Sequence, residues 1–256
     1  MKIALVQLNI QWESKKVNYC HAEEFIKKAS YEGCDIVVFP EMFNTGFSMN
    51  ISAIAEDENG ETSLLLSRLA REYNINLIAG YTVKSANPGR GRNQAVVYDR
   101  QGTLVTRFVK LHSFDFASED QYYSSGNKVV TFDIEGMASS IFICFDLRFP
   151  EVFRKVAKNV QAIFILANWP SVRTEHWEAL LKARAIENQC FVIGVNRTGR
   201  DGNGIDYSGK SKIIGPLGNE ICSGSETEEF LIGEILPDEA IEIRKKFPFL
   251  NSMGTI

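Results

Sequence analysis

The stretch Ser140-Ile141-Phe142-Ile143-Cys144-Phe145-Asp146-Leu147-Arg148-Phe149-Pro150-Glu151 decides the fold class. It opens on a short apolar run, breaks at a tight turn and resumes at a proline suited to the first turn of a helix, with Val152, Phe153, Val156 and Ala157 following at inward-facing spacing. A strand that is apolar on both faces needs cover on both sides, so the passage reads as a strand, turn and helix of a layered α/β protein. Runs of the same kind recur at Ile3 to Leu8, Ile36 to Phe39, Leu77 to Ala79, Ala162 to Ala167 and Phe191 to Val195. Helical patterns lie between them: Ala22, Phe25, Ile26 and Ala29 ending at Gly33, Leu66 to Tyr73, and Thr174 to Asn188. Gln94 to Tyr98 with Leu104 to Val109, and Lys210 to Ile214 with Glu220 to Cys222, flank turn sequences and read as antiparallel hairpins. No Pro/Ser-rich linker, charge block or internal repeat divides the chain, so one domain over residues 1–256 is expected.

Composition narrows the function. The 28 Lys+Arg against 32 Asp+Glu leave a formal net charge of −4, without the basic excess of a nucleic-acid binder. No run approaches the ~18 apolar residues of a membrane helix, and the opening MKIALVQLNI, broken by Gln7 and Asn9, lacks the form of an export signal. The five cysteines are widely spaced with no CxxC pair, and His21, His112 and His176 form no ligand spacing. A reducing cytoplasm, no metal and no cofactor are therefore expected. Gly199 to Gly204 lacks the phosphate-loop and dinucleotide spacings and reads as a loop.

Three reactive side chains stand at the ends of strand-like runs: Glu41 after Asp35 to Pro40, Lys110 after Leu104 to Val109, and Cys144 after Ser140 to Ile143. Ligands of layered α/β folds bind beyond the carboxyl ends of strands. A carboxylate, an ammonium and a thiol make a complete set for acyl transfer: a base for the thiol proton, a nucleophile, and a cation for the charge that develops on oxygen. Taken singly, each has a plain structural reading as core filler, loop carboxylate or solvated strand end. Together, with a Pro-Glu charge adjoining a core strand and a tight turn after the thiol, they favour chemistry. His112, with no third group to orient it against Cys144, is expected in the wall of the site.

In this order, Pro40-Glu41, Lys110-Leu111-His112 and Cys144 to Glu151 resemble the three catalytic motifs of the carbon-nitrogen hydrolase (nitrilase) superfamily. Ala167-Asn168-Trp169-Pro170, Arg173, His176-Trp177, Ala183 to Gln189 and Gly194 to Arg197 are similar to its omega-amidase branch, and the likeness covers nearly the whole chain. The resemblance implies a four-layer α-β-β-α sandwich, usually dimeric, that turns an amide and water into an acid and ammonia through a Cys144 thioester. It also implies a second glutamate, best matched by Glu119 with Asp120 as the alternative, and an oxyanion donor at the backbone N–H of Phe145. The implied substrates are short dicarboxylic monoamides such as 2-oxoglutaramate and 2-oxosuccinamate. Arg173 is then the candidate for the far carboxylate, with a helix-capping role as the alternative, because a guanidinium offers a bidentate fork. Asn168, Trp169, Phe43 and His112 are expected beside the substrate, and Arg148 is expected to pair with Glu151 or another nearby acid. Phe247-Pro248-Phe249-Leu250 fits the branch, whereas Asn251-Ser252-Met253 replaces acidic residues that commonly follow. Within enzymes the alternative is an N-carbamoyl or other aliphatic amide hydrolase; outside them, a catalytically silent interaction module.

Overall fold

The computed structural model describes residues 1–254. The chain lays down β1 (Lys2–Gln7), α1 (Lys15–Tyr31), β2 (Ile36–Val38), α2 (Ile51–Ile54), α3 (Glu61–Glu72), β3 (Asn76–Lys84), β4 (Gly91–Tyr98) and β5 (Leu104–Val109). It continues with α4 (Glu119–Tyr122), β6 (Thr131–Ile134), β7 (Met137–Ile143), α5 (Pro150–Val156), β8 (Ala162–Ala167), α6 (Thr174–Asn188) and β9 (Phe191–Asn196). The last elements are β10 (Thr198–Arg200), β11 (Asp206–Ser208), β12 (Lys212–Ile214), β13 (Glu220–Ser223), β14 (Glu229–Glu234) and α7 (Asp238–Lys246).

Two six-stranded sheets result, ordered β14-β1-β2-β3-β4-β5 and β13-β12-β9-β8-β7-β6. Each has a parallel centre, β1-β2-β3 in one and β7-β8-β9 in the other, flanked by antiparallel strands. Both expected hairpins form, β4 with β5 and β12 with β13. The Gly199 to Gly204 stretch is more than a loop: Thr198 to Arg200 pairs with Asp206 to Ser208, and 201–205 form the tip of that hairpin. Strands of three residues beside glycines carry too little periodicity to be read from sequence.

The strands of the first sheet show why the apolar runs are continuous. Ile3, Leu5, Ile36, Val38, Ile78, Ala95 and Val97 face the core shared with the second sheet, where Phe108 meets Phe142 edge-on at 5.6 Å between ring centroids. The alternate residues Ala4, Val6, Val37, Leu77, Ala79 and Val96 pack outward with Ala22 and Ile26 of α1 and Leu66 and Leu69 of α3. On the far side α6 covers the second sheet so closely that a Cβ at Gly194 would lie 2.7 Å from Leu181. The layers are therefore helix, sheet, sheet, helix, a four-layer α-β-β-α sandwich. Filling both sides is worth about 1.5–3 kcal/mol for each large apolar side chain removed from water. Gly33, in the left-handed region at φ +69°, ends α1. No helix among the described residues is long and apolar enough to cross a membrane.

Candidate active site

Glu41 follows β2, where Phe39 N–H still reaches Ile78 O at 2.8 Å before the chain turns at Met42, φ +46°. The turn presses Glu41 onto β3: a Cβ at Gly80 would sit 2.9 Å from the Glu41 Cα, so only glycine fits there. The Glu41 side chain is fully buried. Its Oε1 accepts from Asn93 Nδ2 at 2.7 Å and Lys110 Nζ at 3.1 Å, and its Oε2 from the Asn168 backbone N–H at 2.8 Å. A buried carboxylate without such partners would cost several kcal/mol in lost hydration.

Lys110 leaves β5 with its backbone N–H on Asn93 O at 2.9 Å and its Nζ 2.8 Å from Glu119 Oε2. Burial alone would lower its pKa; Glu119 and Glu41 more than reverse that and raise it well above the ordinary lysine value. Glu119 opens α4 after Ser118 in the left-handed region, and its Oε2 also accepts Phe114 N–H at 2.7 Å. Its pKa is raised, by burial first and by Glu41 in addition, against the opposing pull of Lys110. Asp120, one residue on, is exposed, so Glu119 is the acid that reaches the cluster.

Cys144 directly follows β7 at φ +46°, a strained conformation for a residue with a Cβ that costs of order 1–3 kcal/mol. Residues 144–148 make one 3-10 turn that carries the chain into α5. Asp146, fully buried in this turn, accepts Ile143 N–H at 3.2 Å and, across the sheet, His112 N–H at 2.9 Å and His112 Nδ1 at 2.8 Å. Sγ lies 3.7 Å from Asn168 O. Burial, and then the Glu41 charge, push the thiol well above its ordinary value, with Lys110 opposing. One ammonium between two carboxylates leaves the cluster without a spare positive charge to stabilise a thiolate.

Glu41, Lys110 and Cys144 open together on a cavity of about 680 Å³, walled by Phe47, Phe114, Phe145, Trp169 and Tyr207 and rimmed by Val172, Ile205 and Phe116. Trp169 holds its loop by donating Nε1–H to Arg173 O at 2.7 Å. Arg173 and Arg148 also line this space. Three sequence expectations change. Phe43 does not line the cavity: it is fully buried against Phe39, ring centroids 5.2 Å apart, and Phe47, one turn further, takes the wall position. His112 stands behind the site, bonded to Asp146 and stacked on Phe149 at 3.8 Å. Asn168, by contrast, lines the cavity and also positions Glu41, giving its Nδ2 to Glu41 O at 2.5 Å and its N–H to the Glu41 carboxylate. Arg148 makes no ion pair among the described residues; its guanidinium lies 4.8 Å over the Trp169 ring, because the turn aims it inward while Glu151 faces solvent. The sequence reading missed Asn93, which donates to Glu41 and Glu119 at once (2.7 and 3.1 Å), and Asp146; both act through neighbours that local pattern does not reveal.

The chain is 33% identical over 253 residues to the 2-oxoglutaramate amidase of Bacillus subtilis, covering 98% of this chain and 96% of that one. It is 35% identical over 249 residues to the omega-amidase YafV of Escherichia coli (strain K12), with 97% and 94% covered. Its fold superposes with a TM-score of 0.93, at 30% identity and over 100% and 98% of the two chains, on a CN-hydrolase superfamily protein from Xanthomonas campestris whose crystal structure carries an arsenic adduct in the active site. The carbon-nitrogen hydrolase family model matches residues 2–245, spanning the strand that delivers Glu41, the strand that delivers Lys110 and the turn at Cys144. With that match across both sheets and the site between them, this chain belongs to the carbon-nitrogen hydrolase family.

Proposed function

We propose that this protein is an omega-amidase that cleaves the terminal amide of short dicarboxylic monoamides, such as 2-oxoglutaramate or 2-oxosuccinamate, to acid and ammonia. The observation that carries the reading is the buried Glu41–Lys110–Glu119 cluster opening on the same cavity as Cys144. Glu41 takes the Sγ proton as sulfur bonds to the amide carbon. The oxyanion forms between the Lys110 ammonium and the Phe145 backbone N–H, donors of a kind worth ~2.7–4 kcal/mol each. Glu41 then gives its proton to the departing nitrogen, the C–N bond breaks and ammonia leaves. Water, losing a proton to Glu41, attacks the thioester; the acid leaves and the proton returns to sulfur. Glu119 holds Lys110 in place throughout. Arg173 takes the far carboxylate with its guanidinium fork.

The same reading treats residues 1–256 as one catalytic domain, working as a homodimer by family resemblance. The five free thiols support a reducing cytoplasmic setting, where disulfides are rare. The test is a panel of amides followed by ammonia release, with mass spectrometry of enzyme quenched during turnover. Carboxylate-bearing amides should be preferred, with an acyl mass on Cys144. Faster turnover of N-carbamoyl compounds or of neutral amides would replace the reading with one of its alternatives, and no turnover of any amide would favour a silent module.

A further inference from the structure

Two guanidiniums face the cavity without a carboxylate to neutralise either. Arg148 lies 4.8 Å over the Trp169 ring and donates from Nη2 to His176 Nδ1 at 3.2 Å. Arg173 lies 5.2 Å over the Phe114 ring. Neither has an ion-pair partner among the described residues; Asp206, the acid on the rim, faces Arg200 instead at 4.0 Å. Aromatic faces attract a cation, yet they do not cancel its charge. The two arginines are close enough to feel each other: burial first, and then Arg173, lower the pKa of Arg148. Like charges held side by side in a partly dry pocket oppose folding unless an anion joins them.

We propose that Arg148 and Arg173 form one anion site for the far end of the substrate, with Arg148 as a specificity residue of the amidase reaction in its own right. This rests on the omega-amidase reading and adds a second cation to it. One carboxylate set between two forks satisfies both, each through charge-assisted hydrogen bonds. The same pair disfavours an ammonium beside that carboxylate, so an amino-acid amide such as asparagine should be a poor substrate. Trp169 and His176 hold the Arg148 fork at the cavity wall and are positioning residues.

The test measures kcat and KM for succinamate and for butyramide, its neutral counterpart of similar length, in wild type, Arg148→Met and Arg173→Ala. Arg148→Gln is added because it keeps a planar donor against Trp169 and His176 while removing the charge. Wild type should prefer succinamate. Both Arg148 variants should lower the ratio of kcat/KM for succinamate to that for butyramide by about ten- to a hundredfold, mostly through the KM for succinamate. A wild type with no preference for succinamate would overturn the omega-amidase reading and this inference with it. A wild-type preference that survives in folded Arg148→Gln, or an equal loss on both substrates, would overturn the role of Arg148 alone.

Discussion

Asp146 and His112, 34 residues apart in sequence, are joined twice: one carboxylate oxygen of Asp146 accepts both the backbone N–H and the ring Nδ1 of His112, at 2.9 and 2.8 Å. Asp146 sits two residues after Cys144, and His112 two residues after Lys110. The pairing therefore clamps the segment that carries the ammonium to the turn that carries the thiol, through an Asp146 carboxylate that is itself fully buried while His112 is half-buried.

Replacing Asp146 with Asn should loosen that clamp. An amide turned toward several N–H groups satisfies fewer of them, and each buried donor left bare costs ~1–3 kcal/mol. Asp146→Asn should lower stability by at least about 1 kcal/mol and kcat by about tenfold or more, since misplaced reacting groups are slow. Urea unfolding and steady-state kinetics check both; wild-type values in each would remove the clamp.

Asn93 should matter for rate more than for binding. Its Nδ2 spaces the carboxylates of Glu41 and Glu119 around Lys110 and it does not line the cavity. Asn93→Ala should reduce kcat by about tenfold with KM little changed, the mark of an interaction made in the transition state. A rise in KM at constant kcat would assign Asn93 to substrate binding instead.

The resting thiol should stay protonated. With burial and Glu41 raising its pKa, Cys144 should contribute no thiolate absorbance at 240 nm between about pH 6 and 9, relative to Cys144→Ala, although a free thiol titrates near ~8.5. A Cys144-dependent step below that value would mean a preformed thiolate and would displace Glu41 as the acceptor of its proton.

Lys110→Met should abolish turnover and change how stability varies with pH. In wild type the raised Lys110 value stabilises the fold below the ordinary lysine pKa, and this is lost only as pH rises through the folded value. Without the ammonium, Glu119 loses the one charge that lowers its pKa, so the folded variant binds a proton that the unfolded chain releases near ~4.3. Its stability should therefore fall as pH rises from that value, and the deficit against wild type should be smaller at about pH 5 than at about pH 7. Denaturant midpoints at the two pH values check the sign; a deficit that shrinks at the higher pH would contradict it.

Much of this protein was legible along the chain because its information is local. A strand covered on both sides must be apolar at every position, so β2, β7, β8 and β9 could be read from short runs, and Pro150 and Gly33 mark helix ends through backbone constraints of their own. Glu41, Lys110 and Cys144 stood out because each stands at the end of a strand-like run, two of them apolar throughout and the third, Leu104 to Val109, one arm of a hairpin. What only the tertiary structure decided is which of these ends meet. Asn93 touches both glutamates because β4 lies between β3 and β5, a register set by long-range pairing. Phe47 rather than Phe43 walls the cavity because backbone turns at Met42 and Gly46, both with positive φ, redirect the loop after β2. Arg148 faces inward because Cys144 adopts a left-handed conformation that propensity disfavours and the packing of Asp146 enforces. Local sequence dictates burial and periodicity; the stacking of one sheet on another, which brings residues more than a hundred positions apart to within hydrogen-bonding distance, depends on the sum of contacts over the whole core.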